Sequence, residues 1–354
     1  MKSFCKGCRV TKEDVLKAYD SWTSSDSGRK NCWRIDKEYG GLDKLSDELV
    51  RDIANRSLSF EPIRYSNRRE AGNGKMRRIG QQSSKQQLCD YIFINAIQEF
   101  LNKRIGFYQA ASIKNKGPIF ASKMVQRWVQ EGGYWAHLDI YHCYQSMDII
   151  AIMRTLEKYI ASSDLLYLAK TLMDTYECGL NIGSYFSLKI AQLILSFGYH
   201  EVESYCYYRR GNRIKTISHQ IWYADDIYLF SHNKRELQKS IRKLRVFFKE
   251  NYNLSVKPCK VCQCYKEPPD VAGYVCKLYG RTIRKSTYLR IRRAYRSYDA
   301  SPSLKKARRV SSYWGRLKNA NTAKAIKKNA YDRIVRGANR YISEYAKRSC
   351  AAQF

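Results

Sequence analysis

The sequence predicts an α+β protein in which helices pack behind an antiparallel sheet, and three observations point there. Residues 134–140 (YWAHLDI) read as a strand, and 221–231 (IWYADDIYLFS) as two strands around a tight turn. Between and after them, 148–161, 164–177, 185–206 and Lys234 to Asn251 carry apolar residues at helical spacing. An order of strand, helices, strand pair and helix leaves the helices to cover one face of the sheet.

The remaining elements follow the same logic. Residues 11–58 place Val15, Ala18 and Trp22, then Leu45, Leu49 and Ile53, at helical spacing, so the N-terminal region is helical. Ala71-Gly72-Asn73-Gly74 reads as a hairpin tip preceding Lys75 to Ile79. Leu88, Ile92, Ala96, Ile97 and Phe100 recur with a period near 3.6 and make 86–105 a helix. Beyond Gly280 the chain is strongly basic and helical in pattern. No internal repeat or low-complexity linker interrupts it, so subdomain boundaries are soft.

Composition narrows the function. With 354 residues, 44% of them hydrophobic, the chain can bury a core as one unit of two or three lobes. Lys and Arg total 65 against 32 Asp and Glu, a net charge of +33 spread along the chain, and such a surface expects a polyanion. No apolar run approaches the roughly 18 residues that span a bilayer, and MKSFCKGCRV lacks an apolar signal core. The expectation is a cytoplasmic protein without membrane contact. Cys5 and Cys8, with Cys259, Cys262 and Cys264, could supply four zinc thiolates, but no His stands at ligand spacing. Reduced, mostly buried thiols are the simpler reading.

Asp139 ends an apolar strand, and Asp225-Asp226 occupies a turn flanked by Tyr223, Ile227, Leu229 and Phe230. Adjacent carboxylates at a buried turn are costly unless a cation neutralises them. Hard oxygen donors from two strands suit Mg2+, and two such ions could activate a 3′-hydroxyl and stabilise pyrophosphate. An Asp-Asp dipeptide alone more often marks a solvated turn. The surrounding segments change that weighting.

From about Pro62 to Lys328 the order of motifs resembles reverse transcriptases. Tyr223-Ala224-Asp225-Asp226 resembles the family's Y-x-D-D turn, and His137 to Asp148 its first palm motif, in which an aromatic, here Tyr144, follows the aspartate by five residues. Gly179-Leu180-Asn181-Ile182-Gly183-Ser184-Tyr185-Phe186-Ser187 resembles the loop-then-helix segment G-L-P-I-G-x-x-x-S, with Asn181 where proline is usual and Leu188 where glutamine usually follows. Gly74-Lys75-Met76-Arg77-Arg78-Ile79 resembles the fingers hairpin that grips the incoming triphosphate. Asn115-Lys116-Gly117 resembles a template-contacting segment, and Leu254 to Lys260 the segment behind the catalytic turn. Gly273-Tyr274 with Leu278-Tyr279-Gly280 resembles the primer-grip hairpin, and Ser311 to Lys318 a small bacterial or phage thumb.

The resemblance implies a right-hand polymerase fold: an N-terminal region with fingers over 1–130, a palm over 131–284 with 162–184 connecting to the fingers, and a basic helical thumb over 285–354. It implies catalytic Asp139, Asp225 and Asp226, with Ile140 joining them around two Mg2+ ions that Mn2+ can replace. Lys75, Arg77, Arg78, Tyr144, Gly183, Ser187 and Lys260 would contact the nucleotide, Tyr144 as a steric gate for dNTPs and Lys260 as general acid. Lys116, Gly117, Tyr223, Gly273, Tyr274, Tyr313, Trp314 and Lys318 would contact nucleic acid.

The implied activity is copying RNA into cDNA with dNTPs on a cognate structured noncoding RNA template, giving an RNA–DNA duplex. Within the family, the short chain, the I-G-x-x-x-S segment and the thumb are closest to diversity-generating retroelements, with antiphage defence enzymes nearly level. An accessory protein or a homo-oligomer stays open as a partner. Two rival readings stand beside this one: a catalytically silent RNA-binding scaffold, which predicts loss of carboxylates, and an RNA-templated RNA polymerase, against which Tyr144 argues.

Overall fold

The computed structural model describes residues 4–69 and 74–351. Ala71, Gly72 and Asn73 of the expected hairpin tip, and the last three residues of the thumb, lie outside them.

Four helices open the chain: α1 (Lys12–Thr23), α2 (Asp26–Asn31), α3 (Trp33–Tyr39) and α4 (Leu42–Ala54). Thr11 caps α1 in a reciprocal capping box with Asp14, and Val15, Ala18 and Trp22 are buried along one stripe. A hairpin follows, β1 (Arg64–Arg69) and β2 (Met76–Gln81), and then α5 (Ser84–Ala96), α6 (Gln98–Arg104) and α7 (Pro118–Gln130). The single helix expected over 86–105 is thus two, because Ile97 leaves helical geometry at φ −97°, ψ 10°. Next come β3 (Tyr134–Asp139), α8 (Ile149–Tyr159), α9 (Ser163–Asp174) and α10 (Tyr185–Ser204). Hairpin β4 (Cys206–Arg209) and β5 (Asn212–Lys215) separates α10 from β6 (His219–Tyr223), β7 (Asp226–Ser231) and α11 (Lys234–Tyr252). Three short strands and a fourth follow: β8 (Val261–Gln263), β9 (Asp270–Val271), β10 (Tyr274–Lys277) and β11 (Gly280–Ile283). The chain ends in α12 (Lys285–Ala300), α13 (Leu304–Lys318), α14 (Ala323–Lys328) and α15 (Tyr331–Ala351). The helical tract expected after Gly280 therefore starts later, since 280–283 pair antiparallel with β10.

Two compact units are assembled from discontiguous segments. The first comprises 1–109, 138–215 and 239–258; the second comprises 110–137, 216–238 and 259–354. The first is chiefly helical. Helix α10 is buried on most sides, with Phe186, Ile190, Leu193, Ile194 and Tyr199 nearly inaccessible, as befits a core helix. Gln109 is buried as well and donates to the Gln192 carbonyl of that helix at 2.9 Å.

The second unit holds a four-stranded sheet of order β6-β7-β3-β8, in which β6 pairs antiparallel with β7 and β3 with β8. Its other sheet, β11-β10-β9, packs on α7. A core of Tyr274, Ile291, Tyr295, Val310, Leu317, Tyr331 and their neighbours joins β10 to helices α12, α13 and α15. The α+β class with an antiparallel sheet and covering helices is the class the pattern predicted. Among the described residues no helix is long and apolar enough to cross a membrane.

Candidate active site

In the second unit, Tyr223 pairs with Asp226, so β6 and β7 are joined by a loop of two residues, Ala224 and Asp225. Two-residue hairpins require positive φ at the turn, and Ala224 supplies it at +57° without being glycine. A non-glycine residue held there costs roughly 1 kcal/mol or more, and such strain is characteristic of functional sites. His137 Nε2 is hydrogen-bonded to Asp226 Oδ1 at 2.7 Å. The imidazole is oriented by Tyr228, whose ring stacks on it at 4.6 Å and 13°. Tyr228 is in turn fixed by its hydroxyl, which donates to the Asp270 carbonyl at 2.7 Å.

Strand β3 leaves this unit after His137, and Asp139 belongs to the first. There residues 139–141 run antiparallel to 255–257: Lys257 N donates to Asp139 O, Tyr141 N donates to Ser255 O, and Ile140 faces Val256. Asp139 and Lys257 are thereby directly opposite, and Lys257 Nζ donates to Asp139 Oδ2 at 2.6 Å. The ammonium also lies 5.5 Å from the Tyr141 ring centroid.

The burial expected of these carboxylates is corrected by the structure. The side chains of Asp139 and Asp226 are 32% and 43% exposed, so water and the neighbouring Lys257 and His137, rather than a metal alone, carry the cost of their charge. Among the described residues no group of three or more His, Cys, Asp or Glu gathers at metal-binding distance. The donors are nevertheless carboxylate oxygens at solvent-accessible positions, each against a group that an incoming cation can displace, which suits Mg2+ better than a thiophilic metal. Among the described residues the cysteine clusters gather no metal-binding group. Burial pushes the Cys5 and Cys264 thiols up to about 11. Cys5 Sγ donates to Ala96 O, and Cys264 Sγ to Gly132 O.

The glycine-rich segment before α10 is clamped within the first unit. Leu180 N donates to Tyr144 O at 2.8 Å and Gly80 N donates to Ile182 O at 3.0 Å. Gly179 and Gly183 have φ of +51° and +118°, and a Cβ on either would fall 2.4 Å from Tyr144 O or 2.9 Å from Gly80 O. Asn181, standing where proline is usual in the family, is buried and reaches Gly80 O with its amide nitrogen at 3.4 Å. Tyr144 is half-buried, whereas Ser187 is fully buried and turned into the unit.

Asp90, on α5, was not read from sequence. It is 1% exposed and accepts hydrogen bonds from Ser184 Oγ (2.8 Å), Phe186 N (3.2 Å) and Gln82 Nε2 (3.2 Å). It therefore holds the first turn of α10, whose N-cap is Ser184. Burial pushes its carboxyl up to about 6 despite those donors.

Other expected contacts divide. Lys75, Arg77 and Arg78 are exposed on or beside β2, and alternation sends Arg77 and Arg78 to opposite faces. Arg78 pairs with Glu177 at 2.5 Å and lies over Tyr65, while Arg77 stands directly across the ladder from Arg68. Two like charges so placed repel unless an anion joins them. Lys260 is exposed and paired with Glu267, which holds its ammonium above the usual range. Lys257, three residues earlier, is the lysine that meets Asp139. Lys116 is half-buried, with its ammonium lowered by burial and 5.7 Å from the Phe120 ring centroid, and Gly117 precedes α7 at φ +115°. Tyr223 is half-buried. Tyr274 lies in the core of the second unit with the Arg281 and Arg316 guanidiniums 5.7 and 5.9 Å from its ring centroid, and a Cβ on Gly273 would fall 2.9 Å from Arg316. Tyr313 and Trp314 pack partly against that core, and Lys318 is exposed.

The sequence profile of the family described as reverse transcriptase (RNA-dependent DNA polymerase) matches residues 67–298, more than half of the chain. The protein belongs to the reverse transcriptase family. The structure is similar to that of apo telomerase from Candida tropicalis truncated from its C-terminal domain, at 11% identity and a TM-score of 0.44. That similarity covers 63% of this chain and 54% of the other, so this chain spans about half the length of that relative. No curated protein sequence matches it.

Proposed function

We propose that the protein is an RNA-directed DNA polymerase that copies an RNA template into cDNA with dNTPs. The observation that carries this reading is the Asp225-Asp226 pair, Asp225 closing a strained two-residue turn and Asp226 opening β7, backed by His137 and Tyr228 and set in a chain whose family is reverse transcriptase. Asp139, the Ile140 carbonyl, Asp225 and Asp226 would hold divalent ions. Bound there, the ions supply activation of the primer 3′-hydroxyl and charge neutralisation at the leaving pyrophosphate.

The chain's own residues do the positioning. His137 and Tyr228 orient Asp226, Lys257 orients Asp139, and the clamp of Tyr144, Gly179 and Gly183 shapes the nucleotide floor. Lys75, Arg77 and Arg78 supply charge-assisted contacts to phosphate oxygens, Arg77 with Arg68 opposite it. Fingers over 1–130, a palm over 131–284 and a thumb over 285–354 follow from this reading, the last contacting duplex through Lys318 and its basic neighbours. The partners are an RNA template, the RNA–DNA duplex and dNTPs.

A finer role, in a diversity-generating retroelement or an antiphage defence system, is supported by the I-G-x-x-x-S segment and the thumb motif. A paired template and variable repeat in the neighbouring DNA marks the first, and a structured noncoding RNA within a defence island marks the second. The activity itself is tested by primer extension on RNA with Mg2+ or Mn2+. Asp225→Asn with Asp226→Asn abolishes extension while circular dichroism and melting temperature are retained. Extension by the folded double variant would remove the catalytic assignment.

A further inference from the structure

The hairpin β4–β5 has no part in the site described above. It belongs to the first unit and lies in sequence between α10 and β6. Its register is tight: Cys206 faces Lys215, Tyr207 faces Ile214, Tyr208 faces Arg213 and Arg209 faces Asn212. The tip is Arg210-Gly211, with φ of +50° and +79°, the double positive φ of a type I′ turn. The hairpin has a defined shape, therefore, and places a strained arginine at its end. Among the described residues its strands pack against each other and against no other helix or strand to a comparable extent.

Such a hairpin contributes little to a core, yet its outward chemistry is one-sided. From Ser204 to Ala224 the chain has no acidic residue, while Arg209, Arg210, Arg213 and Lys215 are all exposed. Alternation and register put Tyr208, Arg213 and Lys215 on one face, with Tyr207 and Ile214 half-buried on the other. Tyr208 is 73% exposed, a large ring left in water beside two cations. Near the hairpin's foot, Lys243 of α11 lies 5.5 Å from the Tyr205 ring centroid, and a cavity of about 600 Å³ opens between Cys206 and Arg242, Lys243 and Val246. Glu201 and Glu250 also line that cavity, so the excess of positive charge resides on the hairpin itself.

An exposed aromatic flanked by cations is the arrangement that stacks an unpaired base and contacts the phosphates on either side of it. We propose that hairpin β4–β5 is a separate binding element for single-stranded RNA, with Tyr208 stacking a base and Arg210, Arg213 and Lys215 holding the backbone. It rests on the proposed function only in taking RNA as the polyanion.

The test compares wild type, Tyr208→Ala and the triple variant Arg210→Ser/Arg213→Ser/Lys215→Ser. A labelled, unstructured 20-nucleotide RNA is titrated by fluorescence anisotropy across salt, and extension is followed on a short RNA–DNA primer-template with a minimal overhang. The triple variant loses about tenfold in affinity and its slope of log K against log salt shrinks by roughly 2, since about 0.7 counterion is released per phosphate neutralised. Tyr208→Ala loses roughly fivefold with its slope unchanged. Melting temperature and short-template extension stay at wild-type values in both variants. A longer 5′ overhang that tightens binding to wild type more than to the triple variant identifies the template strand as the source; competition only by RNA in trans identifies a second molecule. Unchanged affinity and slope in the folded triple variant overturn the proposal. A wild type that binds RNA through the hairpin yet extends no primer defeats the polymerase reading and leaves this one standing.

Discussion

Lys257 Nζ meets Asp139 Oδ2 at 2.6 Å because the two residues stand directly opposite on adjacent antiparallel segments. Both side chains are about one-third exposed, so the pair contributes on the order of 0.5–1 kcal/mol after solvent screening. A divalent ion at Asp139 must compete with that ammonium. Replacing Lys257 by Met should lower the Mn2+ concentration at half-maximal thermal stabilisation by about two- to fivefold. The measurement is a metal titration of melting temperature without nucleotide, and an unchanged midpoint refutes the competition.

Tyr144 has an observed backbone contact and a proposed side-chain role that mutation can separate. Its carbonyl accepts from Leu180 N and would be preserved by any side chain, whereas its half-buried ring is the expected wall against a ribose 2′-hydroxyl. Tyr144→Val should lower the dNTP to rNTP preference by about tenfold, equivalent to losing about 1.4 kcal/mol of steric discrimination. A purely structural tyrosine would instead leave a cavity and depress both activities together, with a drop in melting temperature. Single-nucleotide incorporation of dGTP and GTP, with melting curves alongside, distinguishes the outcomes.

Asp90 carries a pH dependence with a definite sign. Burial raises its carboxyl from 3.8 to about 6 in the fold. Its contribution to stability is therefore fully present below about pH 4 and is lost as pH rises through about 6, a change of about 3 kcal/mol by linkage. Asp90→Asn keeps an acceptor for Ser184 or Phe186 and removes the ionisation. Relative to wild type, the Asn variant should gain stability by about that amount between pH 4 and pH 6, read from urea unfolding. Parallel stability profiles for the two proteins would show that Asp90 does not titrate in this range.

Periodicity and composition determined a good deal of this protein. The strand at 134–139, the two strands around Asp225 and the long helices α10 and α11 are local patterns, because one apolar face must be buried whatever the partner. The order of motifs, with Asp139, Tyr144, Gly179–Ser187 and Asp225-Asp226, was likewise legible in the chain as written, and the family it resembles is the one whose profile matches residues 67–298. The break at Ile97 was not, because it preserves the helical spacing on both sides.

Tertiary structure alone decided which groups meet those residues. Alternation puts His137 on the same face of β3 as Asp139, yet nothing in that spacing says that Asp226 on β7 is its partner. Lys257 rather than Lys260 reaches Asp139 because the pairing register sets residue 257 opposite residue 139, and register is a property of two segments together. Asp90 sits among apolar residues of an ordinary helical pattern; only the approach of the Ser184 turn turns it into a buried anchor with a displaced pKa. Contacts between residues tens of positions apart follow from chain entropy overcome by packing, and no local pattern encodes them.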